Sequence, residues 1–511
     1  MRRIRHLAVR GLVIVVLTAL AHPGTAGAET VAPAGFTVTT RETLAPGLEH
    51  VVLVRADPPL QVHVARISAG AAVSLRAVLS NDRVAGPDPQ LERTSSMCAR
   101  VHCILGVNAD FGVDQPLGGL VTDGRFLRSP SSTHHQVSMT SDGALEDDAL
   151  DWSGQLLATD LQALRLDGVN VPRTPGKVVL YTPAFGPSTQ TEGRGTDLVV
   201  RVVQPAGEFR LGQTALVELV SLAEGVADAP IPAGGAVLSG EGAGAEALRQ
   251  LWGRVSAGTA GKQAFVRLDS DAQVVESVGG SPILIKDGRR WFTDPGDDFT
   301  GGRHPRTLVG WTPGGDVLLV TVDGRQPELS VGMTLYEAAD LLLSLGATEG
   351  INLDGGGSTT FVTGTTVVNH PSDTLVRRGG QEIVRHAPLP GDAVVGHVER
   401  PVASALTVVP SNPVSVPPVD PLAGPSLDLP QALALPPASA APAGAPGLPD
   451  GGLPALVSRN APRLRSPVVG VAAGANVVAG AALAGVTLLV RRRRFRLRLA
   501  AKSGMLPGED S

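Results

Sequence analysis

The sequence predicts an α+β ectodomain of mixed, mostly antiparallel sheets with few helices, followed by a single C-terminal transmembrane helix. Three observations lead there. Short apolar runs are joined by tight Asp-Gly turns. Strand-turn-strand units outnumber strand-helix-strand units, which argues against a doubly wound sheet. One long uncharged stretch near the C-terminus runs directly into a cluster of arginines.

The N-terminus comes first. Arg2, Arg3, Arg5 and Arg10 surround the start of an apolar run over residues 11–21, and Ala26-Gly27-Ala28 follows. A basic region, a short apolar core and a small-residue site describe a secretory signal over 1–28. Residues 36–400 then form one large ectodomain, long enough to bury a sizeable core.

Residues 51–55 and 62–67 read as strands of its first sheet. Asp123-Gly124, Asp287-Gly288 and Asp323-Gly324 each follow an apolar run. That is the turn chemistry of a two-residue hairpin, because glycine takes positive φ without steric cost. Residues 333–345 give the clearest helix. Leu335, Ala338, Ala339, Leu342 and Leu343 share a face, Thr334 caps the first turn opposite Glu337, and Gly346 ends it.

Two series of motifs run in the same order. One passes from Asn108-Ala109-Asp110 through Gly118-Gly119 to Asp123-Gly124-Arg125. The other passes from Arg267-Leu268-Asp269 through Gly279-Gly280 to Asp287-Gly288-Arg289. An internal duplication is therefore one expectation, with chance similarity among Gly-rich hairpins as the alternative.

Residues 401–466 are dense in Pro, Ala, Leu and Ser without a sustained period, and read as a stalk. Fully extended, it would reach on the order of 100–200 Å, with simple disorder as the alternative. Residues 467–490 are 24 positions without a charge, about 36 Å as a helix. The arginine-rich 491–511 follows. By the positive-inside rule that tail is cytoplasmic, which predicts a single-pass plasma-membrane protein with its bulk outside.

The net charge of -5 and pI near 6.1 give no basic field for nucleic acid. Cys98 and Cys103 are the two cysteines, too few for a four-ligand zinc site. Outside the cytosol they read as a small-loop disulfide, with two buried thiols as the alternative. No cofactor or metal is expected.

The segment carrying most chemistry is Asn352-Leu353-Asp354-Gly355-Gly356-Gly357-Ser358-Thr359-Thr360. Three glycines permit close approach of a ligand to the backbone, and exposed amides in such a turn hold anions. It is neither a Walker loop nor a dinucleotide fingerprint, since the required Lys and Gly spacing are absent. A tight turn without function is the alternative reading. Arg306 and Thr307 precede a strand-like run, and arginine suits bidentate phosphate recognition. Asn108 and Asp110 end another apolar run.

Taken in order, these segments resemble the phosphodiester glycosidase family. The resemblance rests on residues 106–111, Pro116-Leu117-Gly118-Gly119, Gly279-Gly280-Ser281-Pro282, Pro305-Arg306-Thr307, Val322-Asp323-Gly324-Arg325-Gln326 and the Asn352 segment. It covers most of residues 100–375. One departure is Gly112, where the family usually carries a second aromatic after Phe111.

The resemblance implies hydrolysis of a sugar-1-phosphodiester to free sugar and a phosphomonoester. A phosphomonoester has a second pKa near 6 and leaves readily, so the site's main tasks are to hold phosphate and to supply a carboxylate. Asp354, Asp110 and Asp269 are the candidate catalytic carboxylates. Candidate substrate-binding residues are Arg306, Thr307, Asn108, Gly119, Asp323, Arg325, Asn352, Gly355, Gly356, Gly357, Ser358 and Thr359. The implied partner is a glycosyl phosphodiester, such as a wall or surface polymer. The alternatives are a metal-dependent phosphodiesterase attacking phosphorus and a non-catalytic wall-polymer binding module.

Overall fold

The computed structural model describes residues 30–411, apart from 86–90, 113, 131–133, 160–161, 206–207, 258–261, 271, 293–295 and 387. The expected signal, membrane span and tail lie outside the described residues. Among those described, no helix is long and apolar enough to cross a membrane.

Strands dominate, and the described α-helices are Thr94–Val101, Ala243–Ala257, Asp298–Gly301 and Leu335–Ser344. All described strand pairings are antiparallel except that of Gly168–Val169 with Val178–Tyr181. The fold is thus richer in β-structure than the α+β expectation.

One eight-stranded sheet runs in the order Thr37–Ala45, Leu48–Ala56, Pro59–Ile67, Val317–Val322, Arg306–Trp311, Glu349–Asn352, Ile283–Lys286 and Arg289–Arg290. Successive side chains of a strand point to opposite faces. Val62, Val64, Leu308, Leu318 and Val320 therefore face one core with Leu335, Ala338 and Leu342 of the Leu335–Ser344 helix. Ala65, Val309, Leu319 and Ile351 face a second. Burial on both faces explains why these strands read as continuous apolar runs rather than alternating ones. Each buried Leu or Val adds roughly 1.5–3 kcal/mol of transfer free energy.

The second core is shared with a five-stranded sheet ordered Thr366–Val367, Phe361–Thr363, Leu105–Asn108, Ser404–Pro410 and Val73–Leu79. Leu105, Val107, Phe361, Leu406 and Val408 supply its inner face. A further eight-stranded sheet over residues 152–270 packs with the Ala243–Ala257 helix around its own core.

The helix expected at 333–345 is Leu335–Ser344, with the full capping box between Thr334 and Glu337. Cys98 and Cys103 are joined in a disulfide, with a Cα–Cα distance of 4.9 Å. Asp123-Gly124 and Asp287-Gly288 close hairpins, with φ of 49° and 73° in the first and 51° and 70° in the second.

Two expectations are corrected, and the place of a third is given between them. Asp323-Gly324 closes no hairpin: neither residue has positive φ, and Asp323 is fully buried as a hydrogen-bond hub. The two motif series fall in different sheets. Asn108 ends a strand of the five-stranded sheet, whereas Asp269 lies in Gln263–Ser270 of the sheet over 152–270. Finally, the folded domain does not end at 400. Pro401–Val402 pairs with Glu92–Arg93, and Ser404–Pro410 is an internal strand of the five-stranded sheet.

Candidate active site

Residues 353–360 form the crossover between the two facing sheets. The chain leaves the first sheet at Asn352, turns through the three glycines and enters the second at Phe361. Asp354 donates its backbone N–H to Ala109 O at 2.9 Å. Asn108 Nδ2 donates to Asp354 O at 2.7 Å. The Asp354 carboxylate accepts from Gly355 N at 2.9 Å and from the Ser358 hydroxyl. Burial nevertheless raises its pKa to about 6, with the Asp110 charge adding to the rise. Desolvation disfavours a carboxylate more than two hydrogen bonds recover.

The glycines let two arginines close on the turn. Gly356 has φ of 60°, and a Cβ there would sit 3.1 Å from Arg325 Nη2. A Cβ on Gly357 would collide with Arg400 Nη2 and Asp373 Oδ1. Arg400 is held by Asp373 through two 2.8 Å contacts, Nε to Oδ2 and Nη2 to Oδ1. Arg325 is exposed and sits at φ of 59°, in the left-handed region. That conformation is uncommon for a side chain as long as arginine. Its Nη2 lies 3.4 Å from His304 Nδ1. No carboxylate lies within ion-pair distance of it among the described residues. Burial, and then the Arg400 charge, lower its pKa. Two cations that repel each other beside the turn favour an anion between them, whereas Gly355 N and Gly356 N are already committed to Asp354 Oδ1 and Pro305 O.

The other predicted residues fall into two groups. Asn108, Thr307, Asp323, Asn352, Ser358 and Thr359 are buried under the turn. Asn108 Oδ1 accepts from Thr307 Oγ1 at 2.7 Å and from Thr360 N at 3.1 Å. Asn352 Nδ2 donates to Ser281 O at 2.8 Å. Asp323 Oδ1 accepts from Asn369 Nδ2 at 2.9 Å, and Asn369 also holds Thr359 O and Phe361 N. These groups shape the turn; they do not face solvent. Gly119 packs against Pro130 and Leu150.

Arg306, read from sequence as the phosphate clamp, is also buried, at 2% exposure. Its Nε and Nη2 donate to the carbonyls of Met333, Phe299 and Gly302 at 2.7–3.0 Å. Burial pulls its pKa down to about 10. It braces the wall of the site, and Arg325 takes the exposed position.

Asp110 is brought to the site; Asp269 is not. Asp269 pairs with Arg267 in the sheet over 152–270 and has no contact with the turn. Sequence reasoning missed Arg400, Asp373, His304 and His134. No motif flags them: Arg400 precedes a proline at the expected domain edge, and Asp373 follows the matched segments.

The fold and site together define a β-rich domain whose carboxylates and arginines gather around a glycine turn between two sheets. Residues 223–409 match the phosphodiester glycosidase family model, the family to which the motifs pointed. Two curated relatives are N-acetylglucosamine-1-phosphodiester alpha-N-acetylglucosaminidases. The Bos taurus protein is 33% identical over 119 residues, 21% of this chain and 22% of its own length. The Homo sapiens protein is 31% identical over 119 residues, 21% and 23% respectively. The chain thus spans less than a quarter of the length of these relatives. A hypothetical protein from Synechocystis of solved structure shares the fold, with TM-score 0.50 and 19% identity over 74% of this chain and 68% of that one.

Proposed function

We propose that this protein is a surface-tethered phosphodiester glycosidase. It hydrolyses the bond between an anomeric carbon and a phosphate oxygen, giving free sugar and a phosphomonoester. The observation that carries this reading is a largely buried carboxylate, Asp354, on the same glycine turn that Arg325 approaches, Arg325 having no carboxylate within ion-pair distance among the described residues. Arg325 and Arg400 hold the phosphate. Asp354 supplies negative charge where the anomeric carbon becomes cationic. The diester named for the mammalian relatives belongs to the same substrate class. Tethering rests on the uncharged span 467–490 and the arginines after it.

The test is hydrolysis of a sugar-1-phosphodiester by the full-length protein in oxygen-18 water. Label is expected in the sugar. Label in the phosphate would move the attack to phosphorus and favour a phosphodiesterase. Absence of turnover on such diesters would favour a binding module.

A further inference from the structure

Asp110 was expected to act on substrate, but its surroundings assign it a different task. The side chain is fully buried. Oδ2 accepts from Gly118 N at 2.6 Å. Oδ1 lies 3.2 Å from His134 Nε2. Both Oδ1 and Nε2 are buried, and neither has a hydrogen-bond partner among the described residues. The two atoms lie close enough to attract electrostatically, though they are not aligned as a hydrogen bond. The His134 side chain keeps 14% of its surface exposed. Because Nε2 is sealed, that exposure belongs to other atoms of the side chain. The Phe111 ring stands edge-on to it, with centroids 5.9 Å apart, and continues to Phe299 at 6.2 Å. Phe299 in turn lies under the Arg306 guanidinium. His134 is tied to the glycine turn through Asp110, whose neighbour Ala109 accepts the Asp354 backbone N–H at 2.9 Å.

We propose that His134 is the general base of the reaction and that Asp110 is its positioning residue. This rests on the glycosidase reading. Asp110 fixes the proton on Nε2 and leaves the Nδ1 lone pair free, the same division of labour as in other carboxylate–histidine pairs. Nδ1 takes one proton from water as the water oxygen bonds to the anomeric carbon. The carbon–oxygen bond to phosphate breaks with its electron pair going to that oxygen. The products are the free sugar and a phosphomonoester dianion, and the proton passes from His134 to solvent. The charged and titratable groups around the ring are Asp110, the adjacent His135, and Arg128, whose charge acts on Asp110. Asp354 remains on the turn, opposite the cation that forms.

The test uses His134→Gln and His134→Ala in the full-length protein. The loss of a positioned base predicts kcat lower by about 10²–10⁴-fold, with KM changed only a few-fold. Added imidazole should restore turnover to the Ala variant. Near wild-type kcat in the Gln variant, or no rescue of the Ala variant by imidazole, overturns the proposal. Nitrogen-15 spectra of the labelled histidines provide a readout independent of turnover. Neutral His134 should carry its proton on Nε2. A proton on Nδ1 overturns the pairing, whereas the Nε2 tautomer in an enzyme that cleaves no glycosyl phosphodiester sinks the glycosidase reading and not the pair.

Discussion

Asn108 Nδ2 donates to the backbone carbonyl of Asp354 at 2.7 Å, joining the end of one sheet to the crossover that leaves the other. The same side chain accepts from Thr307 and Thr360 through Oδ1. One buried amide thus fixes three points around the turn. Asn108→Ala would strand all three, at about 1–3 kcal/mol for each buried group left unpaired. Urea unfolding should show a lower midpoint at unchanged slope, with kcat falling as the turn loosens. A variant with wild-type stability would remove Asn108 from the frame of the site.

Asp354→Asn tests function and stability in opposite directions. The folded-state pKa of Asp354 is about 6, above its ordinary 3.8. Between these values the folded protein binds more protons than the unfolded chain, so this group's contribution to stability falls as pH rises from about 4 to 6. Asparagine carries no such penalty. The variant should melt higher than wild type above pH 6 by about 1–2 kcal/mol, allowing for partial solvent screening, and show no gain below pH 4. Its kcat should collapse while substrate still binds. Retention of kcat would remove Asp354 from the catalytic groups.

Arg325 and Arg306 should separate cleanly. Arg325 is exposed beside Gly356, so Arg325→Lys loses the planar fork and should cost about 2–4 kcal/mol in kcat/KM with little change in melting. Arg306 is committed to three carbonyls in the wall. Arg306→Lys should lower the melting temperature first, because carbonyls are left without donors. Kinetics and thermal scans on both variants decide the assignment. The reverse pattern would return the phosphate to Arg306.

The Cys98–Cys103 bridge closes a short loop, for which chain entropy gives about 2 kcal/mol. Alkylation of unfolded, non-reduced protein should leave both cysteines unmodified. Reduction should lower the unfolding midpoint. Two freely alkylated thiols would refute the bridge in the cell-derived protein.

Much of this fold was legible in the sequence where local chemistry decides structure. The Thr334–Glu337 capping box, the Asp123 and Asp287 hairpins and the Gly355-Gly356-Gly357 turn all depend on residues within a few positions of each other. The failures came where distant chain segments decide. Arg306 lies at the start of a strand in a pattern that suits a ligand clamp, yet the carbonyls of Phe299, Gly302 and Met333 converge on it. Asp323-Gly324 has hairpin chemistry, but Asn369 and His370 claim the carboxylate. Residues 401–410 look like the start of a proline-rich stalk because Pro401 and Pro410 mark its ends. Their burial between two strands comes from partners about 300 residues earlier. His134 and Arg400 carry no motif, and only the fold brings them to Asp110 and the turn.

That last strand has a kinetic consequence. Ser404–Pro410 lies between Val73–Leu79 and Leu105–Asn108, and its contacts reach back 294 residues from Ser404 to Asp110 and 331 from Thr407 to Arg76. Such long-range closure makes for slow folding. While the chain is being made, the two early strands must wait with bare edges for a partner that emerges about 300 residues later. Unpaired edges of this kind recruit other chains. The interval before residue 410 arrives is therefore when this protein is most exposed to misassembly, and the Asp110 side of the site cannot form until that interval ends.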